Sequence, residues 1–222
     1  METVCEIGFN AGHSAATVML ANLRVDVISF DIGRFAYTAD AASINHDLFP
    51  GRQILVTGKS QQTVPAFLGQ FPGKRCNVLF VDGSHGYEDT VADLRNFGAL
   101  ANESFHVVVI DDVEDMTAAH QPAWKHHTGN GPADAWDRLR DTGEIVEIDR
   151  VSGCGYDCFD FDPRLTHAKN QSRLGGGDFF EPITTMMFPC AGAIAHGKAL
   201  GSSELAWGRF TRPGGGGNGH VL

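Results

Sequence analysis

Short apolar segments alternate with amphipathic segments over the first three quarters of the chain. The apolar segments are rich in Val, Ile, Leu and Phe, as is typical of strands that helices cover on both faces. The pattern predicts five strands, at Thr3–Gly8, Val25–Asp31, Gln53–Thr57, Cys76–Asp82 and His106–Asp111. It predicts five helices, at His13–Asn22, Ala39–Leu48, Gln61–Phe71, Glu88–Ala101 and Ala133–Thr142. This alternation indicates βαβ units around a parallel sheet, an α/β fold.

Two further strands are predicted at Glu144–Asp149 and Tyr156–Asp162, where the intervening glycines favour a hairpin. The last strand is therefore expected to run antiparallel to its neighbour. These elements would complete one domain over residues 1–162. Residues 163–222 contain two glycine runs and little periodicity, which predicts an irregular or disordered C-terminal extension.

The overall charge argues against a nucleic-acid substrate. The chain has 27 acidic and 17 basic residues and a formal net charge of -10, and such a surface repels phosphate backbones. No apolar run reaches the length of roughly 20 residues that a membrane span needs. The N-terminus does not resemble a signal peptide, and the odd number of cysteines, 5, favours free thiols in a reducing compartment. We therefore expect a cytoplasmic protein that binds neither nucleic acid nor membrane.

A glycine-containing turn follows the first predicted strand. Gly8 and Gly12 allow a tight turn into a helix, and Asp31, at the end of the second strand, is placed to accept hydrogen bonds from both ribose hydroxyls. Asn10 interrupts the G-x-G-x-x-G pattern of dinucleotide sites. Glu6 would also repel a diphosphate, whereas it would pair with the ammonium of S-adenosylmethionine. The turn therefore favours S-adenosylmethionine over NAD.

These motifs resemble those of a known family. "CEIGFNAGHSA" is similar to the first motif of class I S-adenosylmethionine-dependent methyltransferases. "LFVDGSHGYEDTVADL", followed by "VVVIDDV", resembles the small-molecule O-methyltransferase-like group that carries a D-G-x-H-x-Y motif after the fourth strand. The resemblance covers roughly Thr3 to Asp162. It implies a Rossmann-like, doubly wound, seven-stranded sheet in the order 3-2-1-4-5-7-6, with the last strand antiparallel.

The resemblance also implies a set of cofactor contacts. It places the first motif at the methionine end of S-adenosylmethionine, Asp31 at the ribose, and the "TGKSQQ" segment at the adenine. Relatives often have an acid where this chain has Lys59, so the adenine contact departs from the family pattern. The implied cofactor-binding residues are Glu6, Gly8, Asn10, Gly12, Asp31, Gly58, Ser60, Gln61 and Asp82.

Three acidic residues follow two neighbouring strands of the predicted sheet. Asp82 ends the fourth strand, and Asp111 and Asp112 end the fifth, so their carboxylates should meet at one edge. Such a cluster suits a hard divalent cation, Mg²⁺ or Ca²⁺. Metal-dependent O-methyltransferases resemble this arrangement but have Asp-Asn where this chain has Asp111-Asp112. His85, with Asp82, is the predicted catalytic residue, because imidazole titrates near neutral pH and can accept a proton.

The sequence thus predicts methyl transfer from S-adenosylmethionine to a hydroxyl of a small-molecule acceptor, with Mg²⁺ as a candidate second cofactor. Two alternatives stay open. One is an NAD-binding oxidoreductase; the other is a catalytically inactive protein with the methyltransferase fold, suggested by the chain's start directly on the first strand and by its glycine-rich tail. The acceptor is not specified, and a homodimer is an assembly that the sequence leaves open.

Overall fold

The structure is a computed structural model, and it describes residues 2–113, 131–151 and 205–211. Five strands and four helices alternate in its first part. The strands are β1 (Glu2–Ile7), β2 (Val25–Asp31), β3 (Gln53–Thr57), β4 (Val78–Val81) and β5 (Val107–Ile110). The helices between them are α1 (His13–Ala21), α2 (Tyr37–Leu48), α3 (Ser60–Gln70) and α4 (Tyr87–Leu100). Helix α5 (Gly131–Asp141) and strands β6 (Ile145–Val151) and β7 (Leu205–Phe210) follow.

The strands form one seven-stranded sheet in the order β3-β2-β1-β4-β5-β7-β6. Strands β1 to β5 are parallel, and β7 runs antiparallel to both β5 and β6. The predicted α/β class, sheet order and antiparallel strand are confirmed. Since β1 and β4 are neighbours at the centre, the turn after β1 and the loop after β4 open on the same crevice, where ligands of such sheets bind.

Helices cover both faces of the sheet, which explains the continuous apolar strands. Alternate residues of β1 point to opposite faces: Val4 belongs to the cluster under α1, and Ile7 belongs to the cluster under α3, α4 and α5. Trp136 of α5 and Phe97 of α4 are fully buried in this second cluster. The two cores hold the carboxyl ends of β1, β2, β4 and β5 in fixed register, and this positions the site.

The seventh strand of the described sheet is not the predicted one. That strand is β7, Leu205–Phe210, which inserts between β5 and β6, and Tyr156–Asp162 lies outside the described residues. Gly208 allows β7 to lie close to β6, because a Cβ there would meet the carbonyl oxygen of Val146 at 2.5 Å. Part of the predicted extension therefore belongs to the sheet; the irregular character of the rest of residues 163–222 stays a prediction.

The expectation of free thiols is also wrong for one pair of cysteines. Cys5 and Cys76 form a disulfide, with their Cα atoms 5.8 Å apart. An odd cysteine count shows only that one thiol lacks an intramolecular partner, and it does not exclude a bond between two others. Both sulfurs are fully buried, and the bond ties β1 to the segment that enters β4. Among the helices that the structure describes, none has the length and apolar character needed to cross a bilayer.

Candidate active site

The turn between β1 and α1 depends on its two predicted glycines. Gly8 has a φ of 100° and Gly12 a φ of 73°, both in the region that favours glycine. A Cβ on Gly8 would collide with the main-chain carbonyl of Asp82. A Cβ on Gly12 would meet the ring of Phe9 and the amide of Asn45. The turn therefore packs directly on the loop after β4 and leaves backbone, without side chains, at the floor of the crevice.

Glu6 lies beneath this turn and is buried, with 1% of its surface exposed. Its Oε2 accepts a hydrogen bond from Ser14 at 2.5 Å, and its Oε1 accepts one from Ser29 at 2.6 Å. Ser29 is the register partner of Glu6 on β2. Burial raises the pKa of Glu6 to about 7, against the lowering effect of the two hydroxyls. Glu6 therefore supports the turn from below, and its predicted pairing with the ammonium of the cofactor stays a prediction.

Asp31 ends β2 at the rim of the crevice, and two backbone amides hold its carboxylate. Asn10 N–H donates to Oδ2 at 2.8 Å, and Gly33 N–H donates to Oδ1 at 2.7 Å. Each oxygen keeps a further lone pair with which it can accept a hydroxyl proton. The structure therefore brings Asp31 and Asn10 together beside the glycine turn, and the predicted contact of Asp31 with a ribose stays a prediction.

The predicted adenine segment begins α3, but two of its side chains point toward α4. Gln61 Nε2 donates to Asp89 and Asp93, each at 3.4 Å, and the Ser60 hydroxyl bonds the buried Asp93 carboxylate. Burial, with repulsion from Asp89, raises the pKa of Asp93 to about 6. Gly58, with a φ of 140°, turns the chain from β3 into α3. Ser60 and Gln61 thus tie α3 to α4 at the edge of the crevice.

The predicted catalytic residues meet at the ends of β4 and β5. His85 Nε2 lies 2.9 Å from Asp112 Oδ2, and one ligand atom each of Asp82, His85 and Asp112 lie within 4.8 Å of one another. Asp112 has a φ of 61°, and its N–H donates to Asp111 Oδ1 at 2.8 Å. His85 therefore takes the place predicted for Asp111 in the group of candidate metal ligands.

In the group formed by Asp82, His85 and Asp112, two carboxyl groups lie beside one imidazole, so their charges do not cancel. Desolvation, then repulsion from Asp111 and Asp112, raises the pKa of Asp82 to about 8, while His85 lowers it. Asp82 is itself exposed, so the repulsion is the firmer cause. The donor set of two carboxylates and an imidazole does not fit Mg²⁺, which prefers oxygen ligands; imidazole suits Zn²⁺, Fe²⁺ or Cu²⁺. The Mg²⁺ prediction gains no support from these residues.

Helix α5 fixes the loop that carries His85. A Cβ on Gly131, the first residue of α5, would collide with the carbonyl of His85. Thr90 of α4 donates from its hydroxyl to the carbonyls of Ser84 and Gly86, at 3.0 and 2.9 Å. Two helices therefore hold the His85 segment from either side.

Sequence reasoning missed several residues of the site. They are Ser14, Ser29, Tyr37, Asp93 and Gly131. The signal that was available is spacing: Ser29 lies two residues before Asp31, so its side chain points to the same side of β2. Tyr37 and Gly131 gave no such signal, because their contacts depend on how distant elements pack.

Comparison with known proteins agrees with this geometry. Residues 5–113, which contain the glycine turn, Asp31, His85 and Asp112, match a family model described as a methyltransferase domain. No curated protein shows significant sequence similarity to the chain. Residues 5–113 thus match a methyltransferase domain, and the sheet order is that of the class I methyltransferase fold, as predicted.

Solved structures show the same fold at low sequence identity. A putative O-methyltransferase from Klebsiella pneumoniae is 13% identical with a TM-score of 0.53, over 94% of this chain and 73% of that one. The O-methyltransferase segment of StiE, residues 961–1257, is 12% identical with a TM-score of 0.54, over 94% and 68%. A third structure comes from work on the conversion of a disulfide bond into a thioacetal group during echinomycin biosynthesis. It is 12% identical with a TM-score of 0.53, over 95% of this chain and 76% of that one.

Proposed function

We propose that this protein transfers a methyl group from S-adenosylmethionine to a hydroxyl of a small-molecule acceptor, with His85 as the general base. The observation that supports this most is the His85–Asp112 pair, 2.9 Å apart, on the crevice that the glycine turn also borders. Two of the similar structures are described as O-methyltransferases, which agrees with oxygen as the acceptor atom.

The cofactor fits the features of the crevice. The turn at Gly8 and Gly12 has no side chain that would fill the floor, and Asp31 has acceptor capacity left for a ribose. The backbone amides at the start of α1, near His13, would meet the cofactor's carboxylate. The sulfonium supplies an electrophilic methyl group when the cofactor is bound. Glu6 acts indirectly, through Ser14 and the turn.

The acceptor hydroxyl must lose its proton to attack the methyl carbon. The Asp112 carboxylate orients the imidazole of His85 through Nε2 and stabilises the imidazolium that forms when Nδ1 takes the proton. Positioning the hydroxyl against the methyl carbon supplies much of the remaining rate acceleration.

A methyl-transfer assay over a panel of small phenols and sugars tests the proposal. His85→Gln should lower kcat by about 100-fold or more, while the control His46→Gln, on exposed α2 surface, should not change it. Equal activity of the two variants would contradict the role of His85. Loss of activity in EDTA with recovery in Mg²⁺ would restore the metal hypothesis. Binding of S-adenosylhomocysteine without turnover of any acceptor would favour the inactive alternative.

The predicted cytoplasmic location rested partly on free thiols, and the Cys5–Cys76 disulfide removes that support. Whether the protein acts as a homodimer is a separate prediction, which its mass in solution would test.

A further inference from the structure

A chain of hydrogen bonds links Tyr37 to the carboxylate of Asp31. The Tyr37 hydroxyl donates to Asn10 Oδ1 at 2.6 Å. The backbone N–H of Asn10 donates in turn to Asp31 Oδ2 at 2.8 Å. The three residues come from the start of α2, the turn after β1 and the end of β2, so they join three elements at the rim of the crevice.

In this series of hydrogen bonds, Asn10 is the residue whose conformation most needs support from a neighbour. Its φ of 51° lies in the left-handed region, which asparagine tolerates better than most residues but still populates seldom. Asn10 is also exposed, so core packing does not fix its backbone. The bond from Tyr37 holds the Asn10 side chain, and with it the N–H that faces Asp31.

Tyr37 is itself held in place by neighbours that are exposed. Its ring stacks on Phe35, with centroids 5.1 Å apart and planes 6° from parallel, and the guanidinium of Arg34 lies 5.8 Å from the Phe35 ring centroid. Both aromatic rings are 45% exposed. Because this pair belongs to none of the buried clusters, its contribution to the fold is small.

We propose that Tyr37 is a positioning residue for the cofactor: through Asn10 it orients the Asp31 carboxylate to accept from the two vicinal hydroxyls of a ribose. This rests on the proposed function, which puts the nucleoside of S-adenosylmethionine at Asp31. The amides of Asn10 and Gly33 each occupy one Asp31 oxygen, and the lone pair left on each oxygen then points toward one hydroxyl of the diol.

Titration calorimetry with S-adenosylhomocysteine and with its 2′,3′-dideoxy analogue tests this role. Tyr37→Phe removes the hydroxyl and keeps the stacked ring. It should weaken binding of S-adenosylhomocysteine by about 3- to 10-fold, the effect of one net hydrogen bond, and leave binding of the dideoxy analogue unchanged. In steady-state kinetics the variant should raise the KM for S-adenosylmethionine and leave kcat unchanged.

A second variant separates positioning from general loss of structure. In an Asn10→Ala background, Tyr37→Phe should cause no further loss of affinity, because the residue through which Tyr37 acts is gone. Equal weakening for both ligands, additive effects of the two substitutions, or unchanged affinity in Tyr37→Phe would overturn the inference alone. Failure of the unsubstituted protein to bind S-adenosylhomocysteine would overturn the proposed function, and this inference with it.

Discussion

Among single residues, Gly8 and Gly51 share a positive φ, 100° and 75°, but differ in their surroundings. A Cβ on Gly51 meets nothing within 4 Å, whereas one on Gly8 collides with the Asp82 carbonyl. Gly51→Ala should therefore cost about 1 kcal/mol of backbone strain, and Gly8→Ala about 3 kcal/mol or more. Urea unfolding measures both, and equal losses would show that the close approach to Asp82 has no energetic weight.

Local sequence could identify residues whose role is set by the backbone next to them. Gly8, Gly12 and Asp31 each sit at a strand end or in the adjoining turn, so their place followed from strand periodicity. The orientation of the Glu6 side chain could not be predicted in this way. It depends on hydrogen bonds from Ser29 on the neighbouring strand and from Ser14 on the helix that follows the turn. No local pattern specifies such a three-element contact.

The same limit applies to His85 and Asp112. The strand ends predicted that Asp82, Asp111 and Asp112 converge on one edge, but not that His85 joins the group in place of Asp111. This exchange depends on the left-handed backbone of Asp112 and on the packing of α5 against the His85 loop.

Among the elements, β1 and the segment entering β4 are joined covalently by Cys5–Cys76. The bond closes a long loop, so removing it should lower the free energy of unfolding by about 2–4 kcal/mol. Dithiothreitol should therefore lower the melting temperature of the unsubstituted protein and leave that of the Cys5→Ala, Cys76→Ala double variant unchanged. An equal response of the two proteins to dithiothreitol would contradict a stabilising bond.

Strand β7 fills the gap between β5 and β6, and its loss should be more damaging. Truncation after residue 204 would leave the edges of both neighbours unpaired, and exposed apolar edges aggregate. We expect an insoluble or unfolded chain, while truncation after Thr211, which keeps β7, should give a folded one. Circular dichroism and gel filtration compare the two, and a folded, monomeric shorter chain would show that β7 is dispensable.

Strands β1 to β5 were predictable because each is a short apolar run followed by a helical period. Strand β7 has no such run: Gly208 and Arg209 interrupt it. Its position is set by pairing with β5 and with β6, far away in sequence, and by His106, whose Nε2 accepts from the Phe210 N–H at 3.0 Å. Contacts between residues so far apart in the sequence produce no periodic pattern within the strand itself.

At the scale of the whole molecule, three carboxyl groups among the described residues have a raised pKa: Glu6, Asp82 and Asp93. Burial raises the pKa of Glu6 to about 7 and that of Asp93 to about 6, and desolvation with repulsion from Asp111 and Asp112 raises that of Asp82 to about 8. Through these three groups the folded state binds more protons than the unfolded state between about pH 4 and pH 8. The resulting stability is present in full at the acidic end and is lost as the pH rises.

Glu6→Gln tests this dependence. The variant cannot lose the proton, so its free energy of unfolding should fall less steeply between pH 4.5 and pH 7, by up to about 1.4 kcal/mol per pH unit. Urea unfolding at intervals across this range gives both curves. Parallel curves would mean that Glu6 ionises in the folded state as easily as in the unfolded one.

The insertion of β7 between two earlier strands has a consequence for synthesis on the ribosome. Strand β5 emerges long before Leu205. While the chain between β5 and β7 is synthesised, the edge of β5 that will pair with β7 therefore has unpaired hydrogen-bonding groups. Strand β6 emerges before β7, but it cannot pair with β5 without occupying the place that β7 takes in the final sheet. The final position of β6 therefore depends on a segment that is synthesised well after it, and in that interval a chaperone would have the most exposed strand edge to protect.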